Sequence, residues 1–333
     1  MKPEVSVTIT QTLLRAMEAA NIEGIDSLLS EFDLTPEFLS NPENRVSFEI
    51  QSAIWQHAFS QRGPEFAITF AETTQIASFH LIGYIAINSQ TIDDALAAAE
   101  QFQMAAGQGG TLSRENHSTG IAICYRPINP EQVTTAERCL AMLAANIQLG
   151  RSLIGADYRP TRVNLTLAEP ESADTIERFF QCPVHYSQPQ DQMVLDQKLL
   201  QQPLPHASVE LLNVMKLRAE KVLAGLDSDN TMAGRVAQLI SASLLGQEPD
   251  KNTIAGQLHI SPRTLQRKLA NEQTTYQQVL DNTRHQLALD YLSQPELNIT
   301  DIAYLLGFTE PSAFYRAFKK WQGVTPGNYR DQL

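Results

Sequence analysis

One helical pattern occurs twice in the last eighty residues of the chain, and this repetition constrains the fold more than any other feature of the sequence. The first copy, TIAGQLHISPRTLQRKL, carries Ala255, Leu258 and Ile260 ahead of a turn, then Leu265 and Leu269 on a second helix. The second copy, DIAYLLGFTEPSAFYRAFKKW, answers with Ala303, Leu306 and Phe308, then Phe314 and Phe318. A shift of 48 aligns the first helices and a shift of 49 the second ones, so the turn of the second copy is one residue longer. A small residue where two short helices cross, with apolar residues that seat the second helix, makes a helix-turn-helix unit. Two such units are expected, at 252–272 and 300–322, within an all-α domain.

Seating the second helix by one stripe leaves its opposite face free for a major groove. In the first copy that face carries Arg263, Thr264, Gln266, Arg267 and Lys268, and in the second Ser312, Tyr315, Arg316, Lys319 and Lys320. The arginine fork matches the O6 and N7 acceptors of guanine, so base reading is assigned to Arg263, Gln266 and Arg267, with Ser312 and Tyr315 in the second copy. Arg316, Lys319 and Lys320 are assigned to phosphate, where charge matters more than geometry. Pro262 and Pro311 fall in the first turn of their helices, where a missing N–H costs nothing. Ser261 is the expected N-cap of the first recognition helix, and Thr309 or Glu310 that of the second.

The segment GFTEPSAFYRAFKKWQGVTPGNYR, residues 307–330, resembles the signature of the AraC/XylS family of transcription regulators. Gly307, Phe308, Ser312, Phe314, Arg316, Phe318, Lys319, Gly323, Thr325, Pro326, Tyr329 and Arg330 stand where that signature wants them. The resemblance implies double-stranded operator DNA as a partner, RNA polymerase as the further partner of an activator, and no cofactor. It also gives Arg316 a place in the signature, where its role can be structural. Three upstream segments, GIDSLLSEFDLTPEFLSNPENRV, LIGYIAINSQTIDDALAAAEQF and FFQCPVHYSQPQDQMVLDQKLLQQPLP, resemble the ligand-sensing domain of one branch of that family. That domain is named for arabinose binding although many members sense other molecules, and the likeness spans roughly residues 10–225. It implies a small-molecule effector.

With 333 residues, 43% of them hydrophobic, the chain supports two domains, each with its own core. An α+β sensor is expected over 1–230 and the all-α reader over 231–333. The net charge of −12 would argue against nucleic acid if taken whole. From Lys251 onward, however, nine Lys/Arg stand against seven Asp/Glu, leaving 16 against 30 for the rest. A weakly basic reader attached to an acidic body must bind through locally placed cations. A homodimer is an expected assembly, since paired half-sites raise affinity and specificity together.

Along the acidic part, residues 10–62 read as amphipathic helices broken at Asn41-Pro42. FHLIGYIAI (79–87), GIAICYRPI (120–128) and RVNLTLA (162–168) read as strands, with NHSTG (116–120) as a hairpin turn. Helices are expected after the N-cap Thr91, over 130–155, and over 207–226 and 231–246. Boundary loops are expected at LDSDNTM (226–232) and LLGQEPDKN (244–252).

Catalytic patterns are thin. The seven histidines never take zinc-protease spacing, no cysteine pair has zinc-finger spacing, and no metal site is expected. GQGGT at 107–111 lacks the Lys-Ser/Thr of a phosphate-cradling loop and reads as a turn leading into a hairpin. The alternative class, an enzyme with an attached reader such as a DNA-repair alkyltransferase, requires an activated cysteine. Cys182 in QCPVHY is the one to weigh, and its simpler reading is a small hydrophobe. The scattered Cys124, Cys139 and Cys182, the lack of an apolar leader in MKPEVSVTIT and the absence of a run of ~20 apolar residues imply a cytoplasmic protein away from any membrane. Trp55, Phe59, Phe70, Phe79 and Tyr84 are candidates for an effector pocket, with Arg45, His80 or Arg114 to hold a carboxylate.

Overall fold

The computed structural model describes residues 3–244, 249–294 and 296–331, and the side chains of all of these except 227–230. The chain divides into one compact unit that ends at Leu223 and another that runs from Ala224 to Leu333. No helix among the described residues is long and apolar enough to cross a membrane.

The first unit is α+β. Strand β1 (Glu4–Ser6) pairs antiparallel with β2 (Arg45–Ser47). A second sheet contains β3 (Gly110–His117), β4 (Gly120–Pro127), β5 (Arg162–Asn164), β6 (Val184–His185) and β7 (Asp191–Asp196), in the order β3-β4-β7-β5-β6. Only β5 and β6 are parallel. His117 faces Gly120 across the hairpin that NHSTG indicates. Gly120 is needed there, because a Cβ would run into the Leu195 carbonyl of the neighbouring β7. Strand β3 lies at the sheet edge with most of its side chains half-buried or exposed, which is why GTLSRENH carries no apolar alternation to read. Of RVNLTLA only Arg162–Asn164 is strand; the buried Leu165 and Leu167 follow in irregular chain.

FHLIGYIAI is not a strand. It comprises the end of a 3₁₀ turn, Ile76–Phe79, and an α-helix, Leu81–Asn88. Leu81, Ile82, Ile85 and Ala86 are all buried in the main core, so the helix is apolar on nearly every side and loses the 3.6-residue period. Gly83 lets this helix lie against the preceding turn, where a Cβ would overlap the Ile76 carbonyl. Thr91 does cap the next helix, Ile92–Ala106, through a capping box: its hydroxyl accepts from Asp94 N at 3.1 Å while Asp94 Oδ2 accepts from Thr91 N at 3.2 Å. The long helix Thr135–Ile154 buries Leu140, Leu143, Ala144 and Ile147 in the same core.

The loop expected at 226–232 is a single-residue break. Helix Val209–Asn230 continues to Thr231, whose hydroxyl accepts from Gly234 N at 2.9 Å and starts helix Met232–Ser243. Asp, Ser, Asn and Thr suit a cap as well as a loop, so composition alone does not separate the two. Of the second expected boundary, 244–252, residues 245–248 lie outside the described ones, as does the end of the helix expected over 231–246.

The second unit is all-α and has two cores. Met232, Val236, Ile240, Ile254, Ala255, Leu265, Leu269 and Leu280 close the first, around helices Lys251–Gln257 and Pro262–Asn271. Ala288, Leu292, Ile302, Ala303, Leu306, Phe314 and Phe318 close the second, around Ile299–Leu305 and Pro311–Gln322. Helix Tyr276–Leu292 contributes to both. Residues 258–261 form the turn of the first helix-turn-helix and 306–310 that of the second, which accounts for the shift from 48 to 49.

Candidate functional site

Each recognition helix is built from the turn before it. In the first copy Ser261 is the N-cap, its hydroxyl accepting from Thr264 N at 3.1 Å, and Pro262 opens the helix. Leu265 and Leu269 face inward, so Arg263, Gln266, Arg267 and Lys268 are exposed on the other side. Thr264 is half-buried, with its hydroxyl 2.9 Å from that of Ser261, as part of the cap. In the second copy Glu310 occupies the cap position without a side-chain cap bond, and the Ser312 hydroxyl donates to its carboxylate at 3.2 Å. Phe314 and Phe318 are buried; Tyr315, Arg316, Lys319 and Lys320 are exposed. None of the ion pairs among the described residues ties up a cation of either face.

The signature residues hold this geometry from beneath. Gly307 has φ +71° in the turn, a conformation that glycine takes without strain. The corresponding residue of the first copy is His259, at φ +55°. Phe308 lies under the guanidinium of the buried Arg284, 4.4 Å from the ring centroid. Arg284 donates from Nε to the Leu306 carbonyl at 2.9 Å and from Nη2 to the Gly307 carbonyl at 3.0 Å, tying helix Tyr276–Leu292 to the second turn. Gly323 ends the second recognition helix at φ +81°, and Thr325 caps Pro326–Arg330 by accepting from Asn328 N at 3.3 Å. Arg330 donates to the carbonyls of Leu292 and Leu297 at 3.1 and 2.7 Å. Arg284 is the structural residue that the sequence reading missed; its signal is a cation on a helix face that otherwise supplies Leu280, Ala288 and Leu292 to the cores.

The first unit contains a cavity of about 130 Å³. Three helices line it at helical spacing: Phe48, Gln51 and Trp55; Ala99, Gln103 and Ala106; Arg138, Met142, Asn146 and Leu149. Leu112 and Tyr125 close it from β3 and β4. Gly109 and Gly110 of the GQGGT segment complete the wall because a Cβ at either would run into Phe48 or Tyr125. Arg138 is 4% exposed, with its guanidinium 4.6 Å from the Phe48 centroid and a 3.4 Å hydrogen bond from Nη1 to the Ser52 hydroxyl. Burial lowers its pKa from the ordinary guanidinium value, opposed by the nearby Tyr125 and Cys139.

Of the eight residues expected to form the pocket, Trp55 and Phe79 line the cavity and six do not. Phe59 and Phe70 pack on Trp55 at 5.3 and 4.7 Å as core behind the wall. Tyr84 is 45% exposed. Arg45 caps the end of helix Ile92–Ala106, donating to Ala105 O at 2.7 Å. Arg114 is held in ion pairs with Asp93 and Glu100, both at 2.9 Å. His80 sits at the start of helix Leu81–Asn88 with φ +51° and does not line the cavity. The missed cation, Arg138, shares one helix face with Met142, Asn146 and Leu149, and that placement is its sequence signal.

The thiols carry no activated nucleophile. Burial and Glu177 push Cys182 up to about 11, and burial with Glu115 does the same to Cys124. Burial and Asp191 raise Cys139 further. A thiol shifted upward is protonated near neutral pH and reacts slowly. Among the described residues no group of three or more His, Cys, Asp or Glu is placed to hold a metal.

The family model described as the arabinose-binding domain of AraC transcription regulators, N-terminal, matches residues 24–204, and a helix-turn-helix domain model matches 254–332. The ornithine utilization regulator of Pseudomonas aeruginosa is 29% identical over 300 residues, covering 89% of this chain and 87% of that protein. The HTH-type transcriptional regulator VirS of Mycobacterium tuberculosis is 28% identical over 273 residues, covering 80% and 78%. Among solved structures, transcriptional regulator CdpR from Pseudomonas aeruginosa covers 97% of this chain and 98% of its own at 19% identity and TM-score 0.48.

Proposed function

Since the chain belongs to the AraC-type DNA-binding transcription regulators with an N-terminal ligand-binding domain, we propose that its two recognition helices read two successive major grooves under the control of a small molecule held by the first unit. The observation that carries this reading is the pair of exposed cationic helix faces, each seated on its own closed core. Arg263, Gln266 and Arg267 read bases, with Tyr315 and Ser312 in the second copy; Arg316, Lys319 and Lys320 anchor phosphates, and Lys268 completes the first face. Thr264 acts through the cap. RNA polymerase is the partner of an activating member, and transcription in vitro with the purified chain reports it.

Arg263→Ala or Arg267→Ala removes a base contact worth ~1–3 kcal/mol and flattens preference at one operator position. Lys319→Ala or Lys320→Ala weakens all sequences alike and lowers the salt slope by about one for each phosphate no longer neutralised. Selection from a randomised operator at two salt concentrations measures both. A change of base preference with the lysine variants, and none with the arginine variants, reverses the two roles.

The assembly is a homodimer in this reading. Leu211, Val214 and Leu217 recur at three-residue spacing on helix Val209–Asn230 and are each more than half exposed, an apolar stripe suited to a second copy. Val214→Glu is expected to convert a sedimenting dimer into a monomer and to weaken binding to paired half-sites while sparing a single one. A monomeric parent protein, or a dimeric variant, removes this seam from consideration.

A further inference from the structure

The cavity of the first unit contains a polar arrangement that its own walls do not satisfy. Arg138 Nε and Nη2 and Gln51 Nε2 are buried and have no hydrogen-bond partner. Gln51 is 3% exposed and Arg138 4%, and both line the cavity. All three unpartnered atoms carry N–H groups, so what they lack is an acceptor. A buried guanidinium left without an anion is costly, and such costs persist where a ligand removes them.

The remainder of the wall is selective by what it omits. Among the described residues that line the cavity, Arg138 is the only charged one and no Asp or Glu is present. Of the other polar side chains in the wall, Gln103 bonds to the Leu112 backbone at both ends, and Asn146 Oδ1 accepts from the Tyr158 hydroxyl at 3.2 Å. Much of the remaining surface is aromatic and aliphatic, from Trp55, Phe79, Ile82 and Leu149. The volume, about 130 Å³, is close to the ~150 Å³ of an apolar cavity that takes up benzene.

We infer that this cavity binds a monocarboxylate with a compact apolar body, its carboxylate held by the Arg138 fork and the Gln51 amide and its body against Trp55 and Phe79. The inference rests on the reading of the first unit as the effector-binding domain, and it specifies the effector's chemical class. Two planar groups meet in a charge-assisted, bidentate geometry, the arrangement in which arginine outperforms lysine. An amino acid such as ornithine fits poorly, because no carboxylate among the described lining residues pairs with its ammonium groups.

The test uses the full chain with hexanoate and 3-phenylpropanoate, their primary amides and ornithine, measured by calorimetry and by the thermal midpoint. The carboxylates are expected to bind and raise the midpoint, with the amides weaker by about tenfold or more, the scale of one missing charge-assisted hydrogen bond. Arg138→Met is expected to erase that discrimination and, by removing an unpaired buried charge, to leave the ligand-free midpoint equal or higher. The amide comparison needs no variant, so it stands even if Arg138→Met folds poorly. Failure of every carboxylate to bind, equal binding of amides, or carboxylate binding unchanged in Arg138→Met overturns the inference. The effector reading fails separately: carboxylates that bind through Arg138 yet leave operator affinity unchanged would refute control through this cavity, because a ligand that shifts DNA binding must bind the two states unequally. Ornithine that shifts operator affinity where no carboxylate binds would leave effector control standing and reject the class proposed here.

Discussion

Phe318→Ala is expected to cost ~3–5 kcal/mol of stability and to abolish specific DNA binding, although the residue is buried beneath the exposed helix face. Phe318 is fully buried and packs edge-on against Phe314 at 5.7 Å and Tyr329 at 5.6 Å. Among the described residues only seven buried ones make up the hydrophobic cluster to which it belongs, so little of the core is free to relax into the space it leaves. Truncation therefore removes both transfer free energy and the seat of the second recognition helix. Urea denaturation of the full chain, followed by tryptophan fluorescence, reports the destabilisation; the two tryptophans are Trp55 and Trp321, and Trp321 packs against this same cluster. A variant with an unchanged midpoint and normal operator binding would mean that the second unit does not rest on this core.

Arg284→Ala is expected to rival it. The side chain donates two hydrogen bonds to the carbonyls of Leu306 and Gly307 and stacks on Phe308, all while 4% exposed. Hydrogen bonds to a charged donor contribute ~1.5–3 kcal/mol each, so the expected destabilisation is about 3–5 kcal/mol, with both carbonyls left unpaired. The damage should be local: hydrogen exchange should accelerate in 299–322 while 251–271, whose core does not include this residue, keeps its protection. Arg284→Lys is not expected to rescue, since one ammonium cannot reproduce a fork spread over two carbonyls and an aromatic face. Full rescue by lysine would reduce the role of Arg284 to charge alone.

Much of the second unit was legible because its signals are local. The apolar stripes at Ala255, Leu265 and Leu269 and at Ala303, Phe314 and Phe318 repeat at helical spacing, and each of these residues is buried. The difference of one residue between the two turns was readable as a change of alignment shift, and it is where the helices end and restart. Arg284 escaped because its partners lie 22 and 23 residues away, in backbone carbonyls that leave no trace in composition.

In the first unit the local signal fails where burial is complete. FHLIGYIAI is apolar enough for either a strand or a buried helix, and the close approach of Gly83 to Ile76 decides for the helix. The same holds for the cavity. Aromatics were expected to line it and arginines to bind there, yet Phe59 and Phe70 support Trp55 from behind, while Arg45 and Arg114 are spent on a helix end and on ion pairs. Residue type specifies what a side chain can do, and only position decides whether its partner is protein or ligand.

By itself, the sequence determined the tandem helix-turn-helix units, the faces they expose, the Ser261 cap of the first recognition helix and the α+β character of the first unit, since each follows from periodicity or capping chemistry acting over a few residues. The tertiary structure alone decided that Phe48, Gln51, Trp55, Ala99, Gln103, Arg138 and Tyr125 converge on one cavity, because they come from three helices and a strand far apart in the chain. It also decided that Arg138 and Gln51 enter that cavity with unpartnered donors, for hydrogen-bond satisfaction belongs to packed neighbours in space and has no counterpart in sequence order.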